Sequence, residues 1–206
     1  MKIGFRDSVE VLLEMERTDC LVTNTCYNVS QSVKIKRLKV GPEYTVHRIE
    51  CKQNCEKLVE ELRTVSRDVA QVGKSSIWAT SRSCTPCSVI SSSEAIVLGS
   101  ESVNKDRIRY RLLLRSRGVM IKLMRELKDL NLDPVIVELE DAESLALTQR
   151  EEEILRFAYS NGYFDIERGV SMTEIAEHFG IATSSLSDLL RRALKKSIRG
   201  YFVEKE

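Results

Sequence analysis

Two stretches of this chain mark helix starts, and they restrict its last third more tightly than any other feature. Thr148-Gln149-Arg150-Glu151 and Ser171-Met172-Thr173-Glu174 share the pattern Ser/Thr-x-x-Glu. In such a box the hydroxyl accepts from the backbone N–H of the glutamate, and the glutamate reaches back to the capping residue. Ile154, Leu155 and Ala158 follow the first box at helical spacing, and Asn161-Gly162 supplies a left-handed stop. Val170 and Ile175 flank the second box at hydrophobic-staple positions. Gly180 ends this short helix. Ile181-Ala182-Thr183 then leads into a third, Ser184 to Ile198, with Leu186, Leu189, Leu190, Ala193 and Leu194 inward. Ala182 has no capping side chain, so Thr183 or Ser184 takes over and the helix starts later.

A short helix, a tight glycine turn and a longer helix make a helix-turn-helix. In that arrangement the second helix enters the DNA major groove with its N-terminal residues nearest the base edges. Here those residues are Thr183, Ser184, Ser185, Ser187 and Asp188, whose small hydroxyls can donate or accept. One turn on stand Arg191, Arg192, Lys195, Lys196 and Arg199. From Ala182 to Gly200 they face one acid, Asp188, a local +4 in a chain whose net charge is +1. Their expected partners are phosphates, which position a protein without specifying a sequence. The bland alternative is a three-helix protein-binding bundle. His178 is expected at the surface, and Tyr163 and Phe164 are expected to pack the connection between the first two helices.

These residues resemble a known family. Leu147-Thr148-x-Arg150, Glu153-Ile154-Leu155, Ala158-Tyr159, Gly162-Tyr163-Phe164-Asp165, Arg168, Glu174-Ile175-Ala176, Gly180-Ile181 and Leu190-Arg191-Arg192-Ala193 look like the archaeal bacterio-opsin-activator-type helix-turn-helix. The resemblance implies a sequence-specific transcriptional regulator, archaeal and dimeric, with an N-terminal sensory α/β domain. Two positions depart from the family pattern, which usually has Gln where Glu151 stands and Ser where Ala182 stands.

The preceding two-thirds mix strand and helix patterns. Val9 to Glu16, Val33 to Val40 and Tyr44 to Cys51 read as strands, with Gly41-Pro42 as a turn. Asn54 to Val69 has helical period, with Leu58, Leu62, Val65 and Val69 on one face. A Ser-rich stretch reads as loops around short strands near Ile77 to Thr80 and Ala95 to Leu98. Arg107 to Leu112 alternates, placing Ile108, Tyr110, Leu112 and Leu114 toward a core. Gly118 to Leu130 is helical, with Met120, Leu123, Met124, Leu127 and Leu130 on one stripe, and Val135 to Leu139 is a final strand. Two strand–helix–strand units are the recipe for a ferredoxin-like sheet with both helices on one face. The expected class is therefore α+β: a ferredoxin-like α/β sandwich over residues 1–143, then an all-α helix-turn-helix domain over 144–206. Lys34, Lys36, Lys39, Arg107, Arg109, Arg111 and Arg115 read as solvated sheet faces.

All six cysteines lie in the first unit: Cys20, Cys26, Cys51, Cys55, Cys84 and Cys87. No run of apolar residues is long enough to span a membrane, and the first residues lack a signal-peptide core, so a cytoplasmic protein is expected. Thiols there point to metal or redox chemistry more than to a disulfide framework. Cys51-x-x-x-Cys55 and Cys84-x-x-Cys87 form a candidate four-thiolate metal site, with Cys20 and Cys26 as further ligands and His47 as an extra one. Zinc, another thiophilic metal or an iron–sulfur cluster suits such donors. Inert buried thiols and a disulfide switch are the alternatives.

The function expected is a DNA-binding transcriptional regulator whose Cys-bearing domain senses a metal, redox state or small ligand. Its partners would be double-stranded DNA, a second copy of itself and the transcription machinery, with no membrane. A CxxC thiol–disulfide oxidoreductase and a non-catalytic interaction protein are the competing classes. The first needs a thiolate at a helix N-terminus, and Ser88-Val89-Ile90-Ser91-Ser92-Ser93 reads as a poor helix start. No catalytic residue is assigned, and no enzyme is expected.

Overall fold

The computed structural model describes residues 8–30, 32–142 and 146–205. The chain divides between Ala142 and Glu143 into two compact units.

In the first unit the order strand, helix, strand, strand, helix, strand occurs twice. The first pass is β1 (Val9–Glu16), α1 (Leu21–Val29), β2 (Val33–Lys39), β3 (Tyr44–Cys51), α2 (Cys55–Val65) and β4 (Asp68–Val72). The second is β5 (Ser76–Arg82), α3 (Thr85–Ser92), β6 (Ile96–Ser102), β7 (Arg107–Leu114), α4 (Arg117–Asp129) and β8 (Val135–Asp141). All eight strands join one antiparallel sheet in the order β4-β5-β3-β2-β6-β7-β1-β8. This sheet is larger than the ferredoxin-like one expected from the sequence. Three elements account for the difference. The Ser-rich stretch holds helix α3 rather than only loops. Helix α1 carries no clear periodic signal in Leu21-Val22-Thr23-Asn24-Thr25-Cys26. Val69 belongs to β4 and not to the face of α2.

The two passes have exchanged their first strands. In a self-contained β-α-β-β-α-β sheet the first strand lies between the third and the fourth. Here β5 lies between β3 and β4, while β1 lies between β7 and β8. The β4–β5 connection explains the exchange. Gly73 has φ +75°, and the turn is so short that β5 must pair with β4 as a hairpin. That position is then filled, and β1 completes the other half, with Leu13 opposite Tyr110.

Alternation decides which side of the sheet is buried. Val9, Val11, Leu13 and Met15 of β1 lie in one core with Ile35, Ile49 and Ile77. Ile108, Tyr110, Leu112 and Leu114 of β7 join them, as their alternation predicts. Leu58, Leu62, Ile90, Leu123 and Leu127 cover this face from the helices. The opposite face is ionic. Glu14 of β1 receives Arg107 and Arg109 of β7 at 2.8 Å each, and Arg111 reaches Glu10 at 2.9 Å. These cross-strand pairs show that the arginines expected to be merely solvated hold adjacent strands in register.

The second unit contains α5 (Gln149–Ser160), α6 (Met172–Phe179) and α7 (Thr183–Lys205). Both capping boxes close in both directions, at Thr148 with Glu151 and at Ser171 with Glu174. Gly180 ends α6 in the left-handed conformation at φ 62°, which glycine adopts without steric cost. Ile154, Ala158, Ile175, Ala176, Leu186 and Leu190 form the core. Helix α7 does not start late. Its first turn already uses the Ala182 carbonyl, which accepts from Leu186 N–H at 3.0 Å, so Ala182 takes the capping position despite its side chain. The helix also runs beyond Ile198. No helix among the described residues is long and apolar enough to cross a membrane.

Candidate nucleic-acid interface and cysteine cluster

Helix α7 presents a sharply divided surface. Leu186, Leu190 and Ala193 are buried, whereas Thr183, Ser184, Ser185, Asp188, Arg191, Arg192 and Lys195 are exposed and Ser187 is half-buried. Hydroxyls therefore occupy the first turn, and cations the next two turns on the same open side. Asp188 and Arg191 form an exposed pair at 3.2 Å, which contributes little to stability and leaves the guanidinium available to exchange partners.

Two of the five bases expected to meet phosphate have structural roles as well. Lys196 Nζ donates to Glu151 Oε2 at 2.7 Å and to the Ala146 carbonyl at 3.0 Å. Arg192 Nε stands 3.6 Å from Glu151 Oε1. Glu151, only 4% exposed, thus closes the box of α5 and anchors α7. Its carboxyl is held down to about 2, first by Lys196 and then by the Thr148 backbone N–H, against the opposing effect of burial. The sequence shows the box but not the second role, because the Lys196 contact crosses the whole unit.

The angle between α5 and α6 is fixed at the far end. Arg150 donates to the Phe179 carbonyl at 2.9 Å and lies over its ring at 4.9 Å. His178 is exposed as expected, yet its ring stacks on Phe157 at 4.1 Å. Tyr163 packs against the core with Arg168 over its ring, while Phe164 remains exposed.

The cysteines sort differently from the grouping expected. Cys51, at the end of β3, donates to the Gln53 carbonyl at 3.1 Å and interacts with Cys55 at the start of α2. Burial, then Cys55, raises the Cys51 thiol to about 11. Cys84 instead interacts with Cys20 and Cys87. Among the described residues, no hydrogen bond joins Cys51 or Cys55 to Cys84 or Cys87. Cys26 is buried in α1, where burial, then Cys20 and Cys51, pushes it up to about 12.

Around Cys84 the structure builds a buried polar cluster. Cys20 and Cys84 occupy the N-cap positions of α1 and α3, neither with a side-chain cap hydrogen bond. They occupy equivalent places, after the first strand of each pass. Asp19 links the two cap positions, for its Oδ2 accepts from both the backbone N–H and the hydroxyl of Thr85 at 2.6 Å. Cys84 Sγ donates to Cys87 Sγ at 3.4 Å. Thr23 donates to Cys20 Sγ at 3.3 Å, and the Tyr110 hydroxyl bonds Cys87 Sγ at 3.0 Å. His47 Nε2 faces Cys20 Sγ at 3.9 Å, and its Nδ1 lies 3.4 Å from the Ala79 carbonyl. Nδ1 donates there, since a carbonyl can only accept.

Two buried guanidiniums accompany the thiols. Arg17 and Arg37 both donate to Ser102 Oγ at 3.1 Å, and Arg37 also donates to Thr23. Among the described residues neither meets a carboxylate, and the Nε of each has no partner. Arg17 also donates to the Asn104 and Lys105 carbonyls at 3.2 and 2.8 Å. Cys20 is held well below the usual thiol range, chiefly by the Cys84 hydrogen bond and then by His47. Cys87 is lowered to about 5, first by Cys84, then by Arg37, Tyr110 and His47 against the effect of burial. Cys84, which donates to Cys87 and lies near Cys20, is raised. Among the described residues no group of three or more His, Cys, Asp or Glu side chains is placed so that it could hold a metal ion.

A family described as HTH DNA binding domain matches residues 147–199. The match covers α5, α6 and most of α7, including every exposed hydroxyl and cation of the candidate interface. No curated protein matches the chain.

Proposed function

We propose that this chain is a sequence-specific transcriptional regulator of the archaeal bacterio-opsin-activator type, reading duplex DNA with α7. Its helix-turn-helix DNA-binding domain is the established part of this reading. The observation that carries the rest is the division of α7, with small hydroxyls at its N-terminal end and unburied cations one turn on. Thr183, Ser184, Ser185, Ser187 and Asp188 would lie nearest the base edges, while Arg191, Arg192 and Lys195 neutralise phosphates. Two copies would read half-sites about 34 Å apart, in the cytoplasm and in contact with the transcription machinery.

The first unit is the sensor in this proposal. It takes up a metal, a redox signal or a small ligand at its thiols and biases the spacing of the two α7 helices, a coupling between distinct sites. The reading is non-enzymatic. Helix α3 does place the CxxC at a helix N-terminus, as a thiol–disulfide oxidoreductase requires. Cys84 is 5% exposed and Cys87 fully buried, which denies a protein disulfide the in-line access that exchange needs.

Binding to its own promoter-derived duplexes at several salt concentrations tests the DNA assignment. Arg191→Ala combined with Lys195→Ala should weaken binding on every sequence. The log–log salt slope should fall by about 2, since each phosphate contact contributes roughly 0.9. Wild-type affinity and slope in the folded double variant would remove α7 from the interface.

A further inference from the structure

We infer that the apolar groove between α5 and α7 receives the last turns of α7 from a second copy of this chain, each copy filling the other's groove across a two-fold axis. The inference rests on the reading above, in which two copies bind one duplex, and it names the surface that joins them.

The groove holds about 440 Å3 and is lined by Leu147, Leu155, Tyr159, Phe164 and Leu194, with Glu152 and Arg156 beside them. Its aromatic side chains are left in solvent by their own unit: Tyr159 is 76% exposed, and Phe164 is exposed as well. The core closes without them. Ile154 and Ala158 take the inward positions of α5, and Leu186, Leu190 and Ala193 those of α7. A contiguous apolar surface of this kind, bordered by polar residues, marks an association site.

Helix α7 supplies what fits. Its 23 residues span about 34 Å, whereas the 12 residues of α5 span about 18 Å. Among the described residues, none of α7 beyond Ala193 is fully buried. Ile198 stands one turn beyond Leu194 on the same side of the helix and is 53% exposed. An isologous contact sets Ile198 of one copy against Leu194 and Leu155 of the other, and the reverse.

Charge selects a second copy as the occupant. The charged side chains of the groove are one acid and one base, Glu152 and Arg156, bonded at 2.7 Å. A two-fold axis presents the pair in reversed order, so Glu152 of each copy meets Arg156 of the other. The open side of α7 that carries Arg191, Arg192 and Lys195 has no such balance and would repel its own copy.

The spacing agrees with the proposed operator. A contact centred between Leu194 and Ile198 lies about three turns after Ser185, or about 16 Å along the helix. With the two α7 helices near antiparallel, the hydroxyl turns stand about 32 Å apart, against the roughly 34 Å between half-sites one DNA turn apart. Pairing through the first turns of α7 would instead bring the hydroxyls together and cover them.

Sedimentation equilibrium of the full-length protein without DNA tests the groove. The wild type should be a dimer at micromolar concentration, and Tyr159→Glu combined with Ile198→Glu should raise the dissociation constant at least tenfold. Both side chains are exposed, so the double variant should keep its core, which circular dichroism checks. The contact itself is read by placing a photo-cross-linking benzoylphenylalanine at position 198 in the otherwise wild-type chain. Irradiated in a mixture of unlabelled and isotope-labelled protein, it should join the α5 peptide that carries Leu155 and Tyr159 in mixed-isotope pairs. A wild type that stays monomeric both free and on a duplex overturns the inference. So does a folded double variant that dimerises like wild type, and so do cross-links confined to one isotope, which would mean that the groove is covered from within the same chain. Binding to a promoter-derived duplex separates the two readings. A monomeric wild type with salt-dependent duplex binding would leave the DNA assignment standing without this groove. A groove-dependent dimer that binds no duplex would leave the groove standing and overturn the DNA assignment.

Discussion

Lys196 of α7 donates to the carboxylate of Glu151, in the first turn of α5, at 2.7 Å, and that carboxylate simultaneously accepts the Thr148 backbone N–H at 3.0 Å. One buried oxygen therefore serves both a helix cap and the anchor of the helix assigned to DNA. The carboxylate also pairs with two cations, Lys196 and Arg192. A glutamine, which the resembling family usually carries there, could accept both bonds at its carbonyl oxygen but could not balance the charge of Lys196 and Arg192.

Replacing that anion should cost stability before it affects DNA contact. Glu151→Gln is expected to destabilise the second unit by about 2 kcal/mol, the scale of a charge-assisted hydrogen bond with a buried acceptor. Urea unfolding of the full chain followed by circular dichroism would measure it. A change below a few tenths would show that the cap alone matters.

The same carboxyl predicts a pH dependence. Its folded value, about 2, lies below the ordinary carboxylate value of about 4.3. The unfolded chain therefore takes up the proton first. The stabilisation is present above the ordinary value and is lost as pH falls through about 2. The unfolding midpoint of the second unit should decline from about pH 5 downward, and Glu151→Gln should flatten that decline.

Asp19 should prove to be a stabilising cap in spite of its distance in sequence. Asp19→Ala removes both bonds to Thr85 and should cost about 1 kcal/mol. Hydrogen exchange should quicken at the first amides of α3 and leave those of α4 unchanged. Uniform quickening across the unit would argue against a local role.

Native alkylation of the reduced, metal-free protein should rank the thiols by access. Cys55, half-buried, should react first. Cys26, buried and pushed up to about 12, should be among the last. Cys87 should stay slow although its thiol is lowered, because no reagent reaches it. Peptide mapping by mass spectrometry gives the order, and early labelling of Cys26 would contradict the packing of α1.

Local signals in the sequence located most of the helix-turn-helix. Each capping box is satisfied within four residues, and Gly180 marks its own turn. Strands β1, β3 and β7 were legible for the same reason, since alternation is a property of the strand itself. Helix α3 was not. Thr85-Pro86-Cys87-Ser88-Val89-Ile90-Ser91-Ser92 has poor helical preference, and it is helical because Asp19, distant in sequence, satisfies its first turn. The thiol grouping failed similarly. Proximity along the chain suggested joining Cys51 and Cys55 to Cys84 and Cys87. The fold instead matched Cys20 with Cys84 at the N-cap positions of equivalent helices, and the strand exchange that brings them together has no short-range signature. Arg37 is buried by plain alternation, in phase with Val33 and Ile35, which leaves Leu38 outside.

The exchange of first strands also sets a schedule for synthesis. The partners of β1 are β7 and β8, among the last strands of its unit to leave a ribosome. Until they emerge, Val9, Val11, Leu13 and Met15 form an apolar edge with no native pairing, and the half built around β5 can close without them. A nascent chain of this protein must therefore carry an unmatched strand through most of its translation. Such an edge invites wrong partners, and a burst of stalled or closely spaced ribosomes would expose copies of it to one another.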